Sequence, residues 1–280
     1  MQYKVLATDL DNTLVPFGEP CPSPAVVKAI RDMQKQGVKF VISTGRCYAT
    51  MNNKTLLGGL RWDYAICCNG AEVMDANGKP VYEHPLTHEE MYALVDYCED
   101  YDYCLHFSFH DGYYCYVNYA SMSDYYAQME NTGLSVKDGE DQNRHLIDMP
   151  CAAFALLPKE GGLAGFQEKY GYLNLHFMHI GSSPDGAYLI YDIVRDGTDK
   201  ATGLAGMCEA IGVTLAQTVT AGDSGNDCGM LRAAGLGCAM GNATQEAKEA
   251  ADIVIGDVRK DGLASLIHSV WLDGEKIALM

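Results

Sequence analysis

The chain has 280 residues, 48% of them hydrophobic, and a formal net charge of −17. That length is enough for a large core, in one big domain or two moderate ones. The charge excludes a nucleic-acid backbone or an anionic membrane as partner, since both call for basic surface, but not a small anionic substrate met by a few cations in one cleft.

The first eighty residues alternate strand and helix. An apolar strand, Tyr3 to Ala7, runs into Thr8-Asp9-Leu10-Asp11-Asn12-Thr13-Leu14. Ser23-Pro24 starts a helix whose apolar positions are Val26, Val27, Ile30 and Met33, and Gly37 stops it. Buried strands follow over Val38 to Thr44 and Asp63 to Cys68, and Ala76-Asn77-Gly78 is flanked like a hairpin. This order implies parallel strands joined by helical crossovers.

From Glu83 to Leu189 the composition shifts toward tyrosine and histidine. A helix is predicted near His88 to Glu99, then half-buried antiparallel strands such as Cys104 to Phe109 and Tyr113 to Val117. Alternation of strand and helix returns with a helix over Lys200 to Ile211, capped at Thr198 or Asp199. It continues with a strand over Thr218 to Ala221, a helix over Asn226 to Ala234, short strands at Leu236 to Met240 and Ile253 to Ile255, and a closing helix over Asp261 to Val270. The fold class expected is α/β, a Rossmann-like parallel-sheet core formed by 1–82 and 190–280, interrupted by an inserted α+β domain over 83–189.

Two carboxylates one residue apart at the end of a buried strand are costly, because like charges and desolvation both oppose ionisation. Asp9 and Asp11 therefore call for a cation or a reaction. Three further predicted strands also end in small and polar residues: Ser43-Thr44-Gly45-Arg46, Asn69-Gly70, and Gly222-Asp223-Ser224-Gly225-Asn226-Asp227. Ligands of open α/β sheets bind at such carboxyl ends. Lys200 opens the helix before the last of these strands and can enter the same cleft. Asp9, Asp11, Asp223 and Asp227 together suit a hard divalent cation such as Mg²⁺. The Thr44 hydroxyl, backbone amides such as that of Gly45, and Lys200 suit a phosphoryl group.

With these motifs in order the chain resembles the haloacid dehalogenase superfamily of aspartyl-nucleophile phosphatases, in its Cof-like branch with a large α/β cap. Asp9-Leu10-Asp11-Asn12-Thr13 is similar to the first motif, Ser43-Thr44-Gly45-Arg46 to the second, Lys200 to the third, and Gly222 to Asp227 to the fourth. Met240-Gly241-Asn242-Ala243 resembles the loop that follows. The resemblance implies Asp9 as nucleophile and metal ligand, and Asp11 as general acid and base, with a metal contact through its carbonyl. Thr44, Gly45, Lys200 and Asn226 would hold phosphate. Asp223 would be a metal contact, with Asp227 supporting the metal or orienting Lys200. Asn12 stands where the family usually has Gly, and Ala201 where Gly often follows the lysine; asparagine tolerates the left-handed turn better than most residues.

The function expected on that resemblance is a Mg²⁺-dependent phosphatase for a small phosphorylated metabolite, a sugar phosphate or a phosphorylated cofactor, by way of an aspartyl-phosphate. The alternatives are a phosphohexomutase, which would give an isomer rather than free phosphate, and a non-catalytic phospho-acceptor, in which Asp11 would be unnecessary. Arg46 either contacts substrate or braces its loop. Asn69-Gly70 is read as a turn rather than a ligand contact. The histidines at 106, 110, 176 and 179 lie in strand-like segments, and the tyrosines at 113, 114, 116, 119, 125 and 126 read as half-buried sheet. The eleven cysteines include no Cys-x-x-Cys pair, no charged-then-apolar leader opens the sequence, and no apolar run approaches the roughly 18 residues of a spanning helix. A reduced, cytoplasmic protein is expected.

Overall fold

The computed structural model describes residues 2–128 and 134–273. The chain opens with β1 (Val5–Asp9), α1 (Pro24–Lys35), β2 (Lys39–Ser43), the single turn α2 (Tyr48–Met51), β3 (Tyr64–Cys67), β4 (Glu72–Asp75) and β5 (Pro80–Glu83). A second group follows: α3 (His88–Tyr101), β6 (Leu105–Phe109), β7 (Gly112–Val117), α4 (Tyr119–Ala127), β8 (Val136–Asp138), β9 (Ala152–Pro158), α5 (Gly162–Tyr170), β10 (His176–Ser182) and β11 (Tyr188–Val194). The last group is α6 (Lys200–Ile211), β12 (Thr218–Gly222), α7 (Cys228–Ala233), β13 (Leu236–Ala239), α8 (Gln245–Ala250), β14 (Ile253–Val254) and α9 (Gly262–Ile267).

The chain packs as two compact units. One comprises the residues up to Thr44, Met51–Tyr82, and those from Asp199 onward; the other comprises Gly45–Thr50 and Glu83–Thr198. Residues 190–198, grouped with the outer segments by composition, lie with β11 in the second unit.

The first unit is built on an eight-stranded sheet of order β14-β13-β12-β1-β2-β3-β4-β5. Its strands from β14 to β3 are parallel, and β4 returns antiparallel on β3. All five residues of β1 are buried, as the near-continuous apolar run Val5-Leu6-Ala7 requires of a strand covered on both faces. On one face Val5, Ala7, Val41, Ile66 and Val73 pack with Leu204, Met207 and Met230 of α6 and α7. The register sets Asp9 of β1 beside Ser43 of β2, so these strands finish level with one another.

Local signals place the helices. Ser23 caps α1, accepting from the Val26 amide at 3.2 Å, with Pro24 behind it. Asp199 caps α6 through a reciprocal box with Thr202, which fixes where Lys200 begins the helix. The predicted helix over Asn226 to Ala234 is a 3₁₀ turn, Gly225–Asp227, leading into the shorter α7.

The second unit is a six-stranded sheet of order β10-β11-β9-β6-β7-β8. It is antiparallel apart from the β7–β8 pair, which is parallel. Here the expected half-burial is corrected: every residue of β6 is buried. Leu105, Phe107 and Phe109 face Leu94 and Tyr97 of α3 and Phe166 of α5. On the opposite face His106 Nε2 meets the Tyr126 hydroxyl of α4 at 2.8 Å and stacks on Phe154. A strand covered by helices on both faces cannot be half exposed.

Candidate active site

The site grows from the carboxyl ends of β1, β2, β3 and β12 in the first unit. β1 ends at Asp9, 6% exposed, and the chain then turns over Leu10 to Val15. Leu14 and Val15 both donate backbone hydrogen bonds to Leu10 O, and Asn12 donates one to Val15 O. Asn12 holds φ at 64°, and its Oδ1 accepts from the Phe17 amide at 2.9 Å. The left-handed turn expected where the family usually has glycine is therefore kept. Asp11 at this turn is exposed.

Lys200, the first residue of α6, is wholly buried. Its Nζ donates to Asp9 Oδ1 at 2.6 Å and to Asp227 Oδ1 at 2.7 Å. Asp227 Oδ2 in turn accepts from the Asp223 and Ser224 amides at 2.9 and 3.0 Å. Both Asp227 oxygens are thus engaged, one by the ammonium and one by its own loop. Gly222 makes room for this, since a Cβ there would stand 2.5 Å from Asp227 Cβ. Asp223 Oδ1 accepts from Thr13 Oγ1 at 3.2 Å, which ties the loop after β12 to the turn after β1.

Carboxylate oxygens of Asp9, Asp223 and Asp227 lie within 4.8 Å of one another. Burial pushes Asp9 well above the usual carboxylate range; the Lys200 ammonium opposes this and the Asp227 charge adds to it. Asp223 is pushed up to about 6, by burial first and the Asp227 charge next, against Thr13 and Lys200. Burial works to strip the proton from Lys200, but Asp227 and Asp9 outweigh it and hold the ammonium above the ordinary lysine value. Three carboxylates around one ammonium leave excess negative charge. A divalent cation with oxygen ligands relieves the repulsion that raises Asp9 and Asp223, so this donor set fits Mg²⁺.

Thr44, 1% exposed, follows β2; its amide donates to Ile66 O at 2.8 Å and its carbonyl accepts from the Asn69 amide at 3.1 Å. Gly45 and Arg46, the next residues, pack with the second unit. Asn226, on the 3₁₀ turn after β12, donates from Nδ2 to Asn69 Oδ1 and accepts at Oδ1 from Ser224 Oγ, each at 2.9 Å. Asp9, Thr44, Lys200, Asp223, Asn226 and Asp227 therefore converge through direct bonds or through a shared neighbour.

Reasoning from sequence missed Thr13, Ser224, Asn69 and Asn242 as parts of this network. Asn242, in the loop after β13, donates to Asn12 O and accepts from the Val258 amide, each at 2.9 Å, and so braces the first turn. Each of the four is a small polar residue; the partners of Thr13, Asn69 and Asn242 are remote in sequence, whereas Ser224 bonds within its own loop. Among the described residues the acidic triad is the one grouping of metal-ligand type; the four histidines of the middle segment form none. No helix of the described residues is long and apolar enough to cross a membrane.

The sequence profile of the haloacid dehalogenase-like hydrolases matches residues 6–267. Among curated relatives, the Escherichia coli K12 protein named pyridoxal phosphate phosphatase YbhA is 27% identical, with 96% of this chain and 99% of that one covered. The Bacillus subtilis 168 protein named 5-amino-6-(5-phospho-D-ribitylamino)uracil phosphatase YcsE is 28% identical, with 96% of each covered. Among solved structures, BT1666 from Bacteroides thetaiotaomicron, described as a phosphatase of the haloalkanoate superfamily, superposes with a TM-score of 0.78 at 25% identity, over 95% of this chain and 94% of that one. The match spans nearly the whole chain, over the same strand ends that carry the site. The chain belongs to the haloacid dehalogenase-like hydrolases, in their Cof-like branch, and is an enzyme of the phosphatase class.

Proposed function

We propose that this enzyme is a Mg²⁺-dependent phosphomonoesterase that hydrolyses a small phosphorylated metabolite through an aspartyl-phosphate. The observation that carries the reading is the buried ammonium of Lys200 bridging Asp9 and Asp227 beside Asp223 at the ends of parallel strands. Mg²⁺, held by Asp9, Asp223 and the Asp11 carbonyl with support from Asp227, would supply charge neutralisation at the transferring phosphoryl group.

Asp9 is the nucleophile: its free carboxylate oxygen attacks phosphorus while the ester bond breaks. Asp11, exposed and so able to exchange protons with solvent, gives its proton to the departing alkoxide. In the second half Asp11, now a carboxylate, takes a proton from the water that attacks the aspartyl-phosphate, and phosphate leaves with Asp9 restored. Thr44, the Gly45 amide, Lys200 and Asn226 hold the phosphoryl oxygens, and most of the rate enhancement comes from positioning and charge stabilisation.

The substrate class is a phosphorylated cofactor or sugar phosphate, by likeness to relatives named for pyridoxal phosphate and a phosphoribitylamino-uracil. The eleven cysteines include no Cys-x-x-Cys pair, which supports a reducing compartment such as the cytoplasm. The test is phosphate release from p-nitrophenyl phosphate and a phosphometabolite panel. Mg²⁺-dependent release that EDTA abolishes is expected. An isomerised sugar phosphate without free phosphate, or a single stoichiometric phosphorylation without turnover, would sink the reading.

A further inference from the structure

After β3 the backbone passes through three consecutive left-handed residues, Cys68, Asn69 and Gly70, with φ of 49°, 52° and 106°. That conformation is costly for any residue bearing a Cβ, and it persists only where the surroundings impose it. Here they do. A Cβ on Gly70 would stand 1.9 Å from the carbonyl oxygen of Asp199, the N-cap of α6, so the turn is wedged against the helix end that presents Lys200. The strain holds one side chain in place: Asn69, 3% exposed.

Asn69 joins three strand ends. Its backbone amide donates to the carbonyl of Thr44 after β2, at 3.1 Å, and its Oδ1 accepts from Asn226 Nδ2 after β12, at 2.9 Å. The Asn226 carboxamide is pinned at its other end by Ser224 Oγ, 2.9 Å from Oδ1. An amide held at its oxygen and at one N–H has one orientation left, with the second N–H projecting. If it flipped, it would present a carbonyl oxygen instead, which repels an anion. We propose that Asn69 is a positioning residue for phosphoryl binding, fixing Asn226 so that an N–H and not a C=O faces the phosphoryl oxygens. This rests on the phosphatase reading above and adds a residue to it.

The experiment is a double-mutant cycle on the full chain with Mg²⁺ and p-nitrophenyl phosphate, measuring kcat, KM and the inhibition constant of inorganic phosphate. Asn69→Gly removes the side chain and suits the left-handed backbone, so the melting temperature should hold. Asn69→Ser, too short to reach Asn226 Nδ2, is the second variant should the glycine variant fail to fold; the backbone cost of its Cβ is read in the melting temperature, apart from KM and the phosphate inhibition constant. Asn69→Gly is expected to raise KM and the phosphate inhibition constant about tenfold, the scale of one hydrogen bond to a charged group. In an Asn226→Ala background the same change should do nothing further. Equal losses in both backgrounds, or unchanged phosphate inhibition in Asn69→Gly, would overturn the proposal while leaving the phosphatase reading intact. A wild-type protein with no Mg²⁺-dependent phosphate release would overturn both.

Discussion

Asp9 and Lys200 illustrate how a reactive group differs from a stabilising one. Asp9 is buried, its carboxyl is pushed well up, and a second carboxylate, Asp227, shares its ammonium. Removing its charge while keeping its shape relieves desolvation and repulsion together, so function here opposes stability. Asp9→Asn is expected to reduce kcat by at least ~10³-fold, since the nucleophile is gone. Its melting temperature in metal-free buffer should equal or exceed that of the parent; appreciable residual turnover would exclude Asp9 as the nucleophile. Lys200→Met should behave in the opposite way for stability. It leaves Asp9 and Asp227 buried without their shared partner, a loss of about 3–5 kcal/mol, read as a lower urea midpoint together with lost activity. Unaltered stability in Lys200→Met would mean that the ion triad is not maintained in solution. At this scale the reacting groups were legible in sequence because each stood in a motif in order. Asn69 was not, because Asn-Gly after a strand is turn code, and its partner Asn226 lies 157 positions away.

Strands and helices were legible where burial on both sides wrote a continuous apolar run, as in β1, or where a cap marked the start, as with Ser23 and α1. Asp199 is the clearest case of an element boundary with chemical consequence. Its side chain accepts from the Thr202 amide at 2.7 Å, its own amide donates to the Thr202 hydroxyl oxygen at 2.9 Å, and the next residue is Lys200. Asp199→Ala is expected to cost about 1 kcal/mol by loss of the cap and to lower kcat by several-fold, because the first turn that aims Nζ frays. Thr202→Ala removes one arm of the same box and should give a smaller change in the same direction. A full loss of stability with unchanged kcat would show that the cap does not orient the lysine. Sequence had left the cap between Thr198 and Asp199. Both are good N-caps; in the structure Asp199 is the cap, with its side chain bonded to the Thr202 amide and its backbone extended at φ −154° and ψ 175°.

The two units should differ in their response to acid, because of one side chain whose burial was not legible in sequence. His106 lies on a strand read as half exposed; α4 covers it, and burial pushes its imidazole down to about 3. The unfolded chain binds a proton at this ring with an ordinary value of about 6.5. Folded-state protonation is thus disfavoured. The contribution to stability is fully present above pH ~6.5 and is lost as the pH falls toward 3, at up to ~1.4 kcal/mol per pH unit. The loss belongs to the second unit, which holds His106, Tyr126 and Phe154, whereas both tryptophans, Trp62 and Trp271, lie in the first unit. Hydrogen exchange of β6 and β9 peptides should therefore accelerate between pH 6.5 and 4.5, after correction for intrinsic rates, while tryptophan fluorescence stays native. His106→Phe keeps the stack on Phe154 and cannot be protonated. It should be less stable at pH 7.5, having left the Tyr126 hydroxyl without its 2.8 Å partner, yet its β6 protection should no longer fall with pH over that window. If His106→Phe loses β6 protection with the same pH slope as the parent, the acid sensitivity of this unit comes from its carboxylates and not from the buried imidazole.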